Sequence, residues 1–161
     1  MTLVSKLLPE SRVIVDLDVA SKKRVFEHAG LVFENELGVG ASTVFESLFA
    51  RERLGSTGLG HGIAVPHGRI KGLRDAAGAF VRVKHAIPFE APDGNPVKLV
   101  FVLLVPEKAT EIHLQILSEL AEMFSDNELR LRIDAARDAS EIHTLITTWE
   151  PHAPAQHRAA V

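Results

Sequence analysis

The stretch VKLVFVLLV, from Val97 to Val105, constrains the fold of this chain more than any other segment. It is apolar at nearly every position, whereas a strand with one solvated face alternates apolar and polar side chains. The run is also far shorter than the roughly 20 residues that a helix needs to cross a bilayer. It therefore predicts a strand that is covered on both faces, and such a strand requires helices on both sides of a sheet.

Further strands are predicted where short runs of β-branched or apolar residues end at turn-forming residues. The turn-rich APDGNP, from Ala91 to Pro96, separates the last two of these strands. The predicted strands cover residues 12–19, 63–65, 76–83 and 97–105.

Apolar residues at helical spacing predict two helices after the first strand and three after the last. Short polar residues stand at the expected starts of four of them, where their side chains can accept from free backbone N–H groups. These predicted N-caps are Ser21, Ser42, Asp126 and Ser140. Gly38 and Gly55 are the predicted ends of the first two helices, and a further helix is predicted over residues 110–124.

The order of these elements predicts an α/β fold, a three-layer α/β/α sandwich. A chain of 161 residues suits one domain, which we assign to residues 1–150. The remaining segment, residues 151–161, has no apolar period and is predicted to be a disordered tail.

Charge and composition narrow the classes of function. The formal net charge of −3 gives no overall basic field that would attract nucleic acid or an anionic membrane. The absence of cysteine excludes disulfides, thiolate metal sites and cysteine nucleophiles. The opening MTLVSKLLPE lacks the long apolar core of a secretory signal. We therefore expect a soluble, cytoplasmic protein without nucleic-acid binding or membrane insertion.

The segment GSTGLGHGIAVPHGR, residues 55–69, carries five glycines, one proline and two histidines. It is not a dinucleotide loop, because the predicted helix precedes the glycines and a strand follows them. It contains no Gly-Lys-Ser/Thr phosphate loop, and the spacing around Ser56 is not that of a nucleophile elbow. Ser56 and Thr57 either bind an anion or only shape the turn, and the pattern leaves both readings open.

His67 is the candidate reactive residue of this segment. Pro66 fixes the backbone dihedral just before His67, and Gly68 leaves the position just after it without a side chain. These neighbours suit an exposed nucleophile, although a structural histidine is the alternative. His113 falls beside the apolar stripe of its helix and could pair with His67. A zinc site would need a third ligand such as His61, but no metal-ligand spacing is present, so no metal and no cofactor are predicted.

Three stretches together resemble a known family. RERLGSTGLGHGIAVPHGRI is similar to the active-site segment of the enzyme IIA (EIIA) proteins of the bacterial phosphotransferase system, in the fructose/mannitol-type family. PFEAPDGNPVKLVFVLLVP and HLQILSELAEMFSD resemble the same family. Within the first of these stretches, GSTGLGHGIAVPHG most resembles the nitrogen-regulatory branch of the family. The resemblance covers residues 3–149 and implies a mixed sheet of about four or five strands between helices.

The resemblance also implies roles for particular residues. The histidine of the Pro-His-Gly segment, His67, is the expected phosphoryl acceptor through Nε2, and Arg51 and His113 are expected to assist it. Ser56, Thr57 and Gly68 are the candidate phosphate-binding positions. The glycines would clear a shallow surface for a protein donor. Four apolar residues are the candidate rim of that surface, Phe45, Phe49, Leu59 and Ile70.

The implied function is that of a phosphohistidine carrier. The expected donor is an HPr-like phosphocarrier protein (NPr), and the expected role is regulation within the nitrogen phosphotransferase system. Its targets would include potassium transport or sensor-kinase components. The alternatives are a sugar-specific EIIA, which passes phosphate to a IIB domain for fructose or mannitol uptake, and a binding module that transfers nothing.

Overall fold

The longest apolar segment forms the centre of the sheet. The computed structural model describes residues 2–108 and 110–151, and in it strand β6 spans Val97–Pro106. Leu99, Phe101, Leu103 and Val105 face one core, while Val100, Val102 and Leu104 face the other. Both faces of β6 are buried, as its unbroken apolar pattern predicts.

The described residues form a six-stranded mixed sheet in which β6 has three neighbours. Strand β5 is antiparallel to β6, and β1 lies parallel to β5 at the outer edge. Strands β3 and β4 run parallel to β6, and β2 is antiparallel to β3. The other strands are β1 Val13–Leu17, β2 Gly58–Gly60, β3 Ile63–Ala64, β4 His67–Ile70 and β5 Ala77–Ile87.

Helices cover both faces of this sheet. Helices α1 (Lys22–Leu37) and α2 (Ala41–Arg53) contribute to the core on one face. Helices α3 (Glu111–Phe124), α4 (Asn127–Ala135) and α5 (Ala139–Thr148) contribute to the core on the other. The predicted three-layer sandwich with a mixed sheet is therefore confirmed.

The sheet has more strands than expected because β2 and β4 lie inside the glycine-rich segment. Each is too short to have a pattern of its own. Strand β2 exists through its pairing with β3, and β4 through its pairing with β6. Gly60 in this segment has a φ of 91°, a conformation that glycine adopts more readily than other residues.

Two of the four predicted N-caps are confirmed. The Ser21 side chain accepts from Arg24 N–H, and the Asp126 carboxylate accepts from Glu128 and Leu129 N–H. The prediction of Ser42 is wrong, because α2 begins after Gly40 and the Glu34 carboxylate of α1 accepts from Ala41 N–H.

Ser140 is also wrong as an N-cap, because the N-cap is Asp138, two residues earlier, whose carboxylate accepts from Glu141 N–H. At the predicted helix ends, Gly38 is the left-handed C-cap of α1. The C-cap of α2 is Leu54, and Gly55 follows it.

No helix within the described ranges combines the length and the apolar character that crossing a membrane would require. The predicted disorder of residues 152–161 lies outside the described part of the chain.

Candidate active site

A pocket of about 480 Å³ brings the predicted acceptor His67 and its two predicted partners together. The end of α2 contributes Arg51, the start of β4 contributes His67, and the first turn of α3 contributes His113. The three come from distant parts of the sequence, and β4 and α3 both adjoin the carboxyl end of β6. The predicted juxtaposition of His67, Arg51 and His113 is therefore present in the structure.

The ring of His67 is held through one of its two nitrogens. Its Nδ1 lies 2.9 Å from the Val65 carbonyl oxygen. A carbonyl only accepts, so Nδ1 carries the proton and donates it, and in the neutral ring Nε2 keeps its lone pair. Burial lowers the pKa of His67, and the positive charge of Arg51 lowers it further. Both effects favour the neutral, nucleophilic ring at neutral pH.

Arg51 lies in the last turn of α2, where a cation interacts favourably with the helix dipole. Its Nη1 donates to the Gly55 carbonyl at 2.7 Å, which anchors one side of the guanidinium beside the pocket. No carboxylate within the described ranges forms an ion pair with it. The remaining donors of its planar fork are available to an anion.

The sequence context of Gly68 suggests open space beside His67, but the structure places this glycine in a tight contact with α2. A Cβ at this position would overlap Ser47 Oγ and lie 3.1 Å from the Ser47 carbonyl carbon. Glycine therefore lets β4 approach α2 closely, and the Ser47 hydroxyl donates to the Arg69 carbonyl across the same contact. Ser47 and Arg51 are one helical turn apart, so this contact sets the position of Arg51 relative to His67.

His113 is buried at the third position of α3 and is tied to the helix start. Its ring Nδ1 accepts from the backbone N–H of Thr110 at 3.0 Å, and the backbone N–H of His113 donates to the Thr110 carbonyl. Because Nδ1 accepts, the proton of the neutral ring is on Nε2. His113 thus presents an N–H donor, whereas His67 keeps an Nε2 acceptor, so the two rings offer complementary hydrogen-bonding groups.

Ser56 and Thr57 do not line this pocket. The Ser56 hydroxyl donates to the Phe89 carbonyl and accepts from Gly58 N–H. The Thr57 hydroxyl and N–H both donate to the carboxylate of Glu52. The structure therefore engages both residues within the fold and does not bring them to His67, whereas Gly68, the third candidate for phosphate binding, does line the pocket.

The predicted apolar rim is wrong in its members. Ile70 is buried in the core, and Phe45 and Phe49 pack against that core on another side of α2. None of the four predicted rim residues lines the pocket. Leu54 and Leu114 do so instead, with 85% and 68% of their surface exposed.

His61 lies in the turn between β2 and β3, away from the pocket, with its N–H bonded to Asp93. Within residues 2–108 and 110–151, no group of three or more His, Asp or Glu side chains is arranged to hold a metal ion.

Comparison with known proteins places this site in a family. The sequence model of the EIIA 2 component of the phosphoenolpyruvate-dependent sugar phosphotransferase system matches residues 6–149. The chain belongs to this family. The resemblance to EIIA proteins, predicted from the sequence, is therefore confirmed over nearly all of the described chain.

Similar proteins within the family include nitrogen regulatory proteins. One from Pseudomonas aeruginosa is 41% identical over 147 residues, which are 91% of this chain and 96% of that protein. The crystal structure of nitrogen regulatory protein IIA-Ntr from Neisseria meningitidis has a TM-score of 0.86 and 49% identity, covering 91% of this chain and all of that one. The crystal structure of IIA mannitol from Escherichia coli, at 21% identity and a TM-score of 0.73, shares the fold over 86% of this chain and 97% of that one.

Proposed function

We propose that this EIIA protein is a phosphohistidine carrier, with Nε2 of His67 as the phosphoryl acceptor. The observation that carries the proposal is the hydrogen bond from Nδ1 of His67 to the Val65 carbonyl. It fixes the tautomer in which Nε2 is the nucleophile, in a pocket that also contains Arg51 and His113.

The transfer step exchanges one phosphorus–nitrogen bond for another. The Nε2 lone pair of His67 attacks the phosphorus of a phosphohistidine on the donor protein. The donor's phosphorus–nitrogen bond breaks, and its electron pair returns to the donor ring. The proton on Nδ1 of His67 stays in place, and the Val65 carbonyl stabilises the positive charge that develops on the acceptor ring.

Two side chains stabilise the phosphoryl oxygens during this step. The guanidinium of Arg51 offers donors that match the planar spread of these oxygens. The Nε2–H of His113 offers a further donor from α3, because the Thr110 N–H occupies Nδ1 of that ring. Phosphoryl transfer depends mainly on positioning and charge stabilisation, and residues from three separate elements supply both here.

The donor is a protein, and the apolar surface beside the pocket supports this. Leu54 and Leu114 are large, apolar and well exposed, and each lines the pocket. Two exposed leucines that line one pocket form an apolar patch, and such patches mark protein-interaction sites. We infer that an HPr-like phosphocarrier protein (NPr) packs on them and brings its phosphohistidine to His67.

We infer that this carrier has a regulatory role. The relatives named nitrogen regulatory protein support this over the sugar-specific alternative. A phosphoryl group on His67 would add a charge of about −1.5 to −2 beside the two leucines, by analogy with other phosphorylated side chains. Targets such as potassium transport or sensor-kinase components would then distinguish the phosphorylated from the unphosphorylated protein by charge. The protein would act in the cytoplasm.

The test is uptake of labelled phosphate from phosphorylated carrier protein. Wild type should take up one acid-labile phosphate, and His67→Ala none, while His61→Ala, a change of an exposed histidine outside the pocket, should match wild type. Uptake by His67→Ala would overturn the proposal. A IIB domain is then added to the labelled protein, and rapid loss of label to that domain would favour the sugar-specific function instead.

A further inference from the structure

Glu52 occupies a position that is unfavourable for a carboxylate on two counts. It lies in the last turn of α2, where a negative charge opposes the helix dipole. Its side chain is only 2% exposed, and burying a carboxylate costs several kcal/mol unless partners compensate for lost water. Both of its sequence neighbours are arginines, so the pattern RER reads as an exposed charged turn and does not reveal the burial.

Three donors compensate for the burial of Glu52. Its Oε1 accepts from the Thr57 hydroxyl at 2.7 Å, and its Oε2 accepts from the Thr57 N–H at 3.0 Å. The Lys22 ammonium, at the start of α1, lies 3.2 Å from Oε2. Glu52 therefore holds Thr57 by both its backbone and its side chain.

A continuous chain of hydrogen bonds runs from Glu52 to the ring of His67. The carbonyl of Thr57 accepts from the Val65 N–H at 3.0 Å. The carbonyl of the same residue, Val65, accepts from Nδ1 of His67 at 2.9 Å. The position of Thr57 thus determines the position of Val65, and the Val65 carbonyl determines which nitrogen of His67 carries the proton.

Resting on the proposed function of His67, we propose that Glu52 is a positioning residue for phosphoryl transfer. It fixes Thr57 and, through Val65, holds the His67 ring in the Nδ1–H tautomer with Nε2 as the nucleophile. Glu52 itself does not touch the transferred group, because it does not line the pocket.

The charge of Glu52 also acts on the His67 ring, although positioning rests on the hydrogen bonds. Burial is the main influence on the pKa of His67 and lowers it, and the positive charge of Arg51 lowers it further, while the hydrogen bond to the Val65 carbonyl and the negative charge of Glu52 raise it. The charges of Glu52 and Arg51 act on this ring with opposite signs. The Lys22–Glu52 ion pair places the counter-charge of Glu52 on α1, leaving Arg51 available to the phosphoryl group.

The test uses two variants that remove different parts of the chain. Glu52→Gln keeps one acceptor but removes the charge and one of the two bonds to Thr57. Thr57→Val keeps the N–H bond and the size of the side chain but removes the hydroxyl. Glu90→Gln is the matched control, because Glu90 also pairs with Lys22 but is exposed and is not bonded to Thr57.

The decisive readout is the tautomer of His67 in the unphosphorylated protein, from ¹H–¹⁵N spectra of the imidazole at pH 8. The His67 signals are assigned by their loss in His67→Ala. Wild type and Glu90→Gln should show a single Nδ1–H tautomer. Glu52→Gln and Thr57→Val should show a mixture, with phosphoryl uptake slowed about tenfold, as expected when about one hydrogen bond of positioning is lost.

A single Nδ1–H tautomer in both folded variants would overturn the positioning role, whatever happens to the rate of uptake. If Glu52→Gln fails to fold, Thr57→Val alone decides. If wild type takes up no phosphate while the variants still show mixed tautomers, the positioning of the ring stands and the proposed function of His67 fails. The tautomer readout therefore separates the two proposals.

Discussion

Replacing Gly68 by alanine tests how α2 is docked beside His67, the proposed acceptor. The new Cβ would overlap Ser47 Oγ and would lie 3.1 Å from both the carbonyl carbon and the Cβ of Ser47. Backbone atoms are among these contacts, so α2 itself must move, and rotation of the Ser47 side chain alone does not relieve the overlap. We expect this movement to displace Arg51, one turn further along α2, from His67.

The magnitude follows from two losses and one gain. Overpacking of a tight contact costs about 1–3 kcal/mol. Loss of the bond from the Ser47 hydroxyl to the Arg69 carbonyl costs about 1 kcal/mol. The lower entropy of the unfolded chain returns roughly 0.4–1 kcal/mol. The net destabilisation of Gly68→Ala is about 2 kcal/mol, which for a chain of this size lowers Tm by about 4–8 °C.

The assay is thermal unfolding combined with the rate of phosphoryl uptake. Ser47→Ala removes the overlapping hydroxyl, so the double variant Ser47→Ala/Gly68→Ala should be less destabilised than the sum of the single variants, by about 1 kcal/mol. Gly40→Ala is the control, because its nearest contact would be a Thr43 side chain at 3.4 Å. A Gly68→Ala protein with the Tm and uptake rate of wild type would refute the docking argument, and so would strict additivity.

Four further changes test other parts of the site. Arg51→Ala should slow phosphoryl uptake about 10- to 100-fold, because charged hydrogen bonds are worth about 1.5–3 kcal/mol, and should lower Tm only slightly, because its bond to the Gly55 carbonyl is exposed; an unchanged rate would contradict its role. His113→Gln should retain an acceptor for the Thr110 N–H, and hence near-native stability, yet slow uptake measured at saturating carrier; equal rates would exclude a part for the ring. The lowered pKa of His67 means that uptake should persist just below pH 6.5 and decline only as the folded ring protonates at lower pH; a midpoint above 6.5 in the pH profile of uptake would contradict this. The contribution of His67 to stability is complete above pH 6.5, falls below it because the unfolded ring binds a proton first, and is lost once the folded ring protonates. Leu54→Ser should weaken carrier binding in titration calorimetry while Tm stays constant, and unchanged affinity would remove Leu54 from the docking surface.

Much of the fold follows from local signals in the sequence. The apolar run of β6 predicts a doubly covered strand because each of its faces must be buried. Ser21 and Asp126 are predictable caps because each accepts from N–H groups within the next three residues. The predictions of Ser42 and Ser140 are wrong because other residues cap these helices, in one case from a different helix.

Some residues of the site are likewise predictable from local sequence, and others are not. His67 is predictable because proline and glycine flank it, and the family resemblance adds Arg51 and His113. The role of Glu52 leaves no local signal, because its partners Thr57 and Lys22 meet it only in the folded chain. The rim residues fail for a related reason, since spacing places Phe49 on an apolar stripe without indicating which side of α2 faces the pocket.

The most direct test of the account is the identity of the phosphorylated nitrogen. The protein is phosphorylated with phosphoenolpyruvate, enzyme I and the carrier protein, and the product is examined by ¹⁵N and ³¹P NMR. The account predicts a single phosphoryl group on Nε2 of His67, with Nδ1 still protonated and bonded to the Val65 carbonyl. A phosphoryl group on Nδ1 of that ring, or on any other residue, would contradict it.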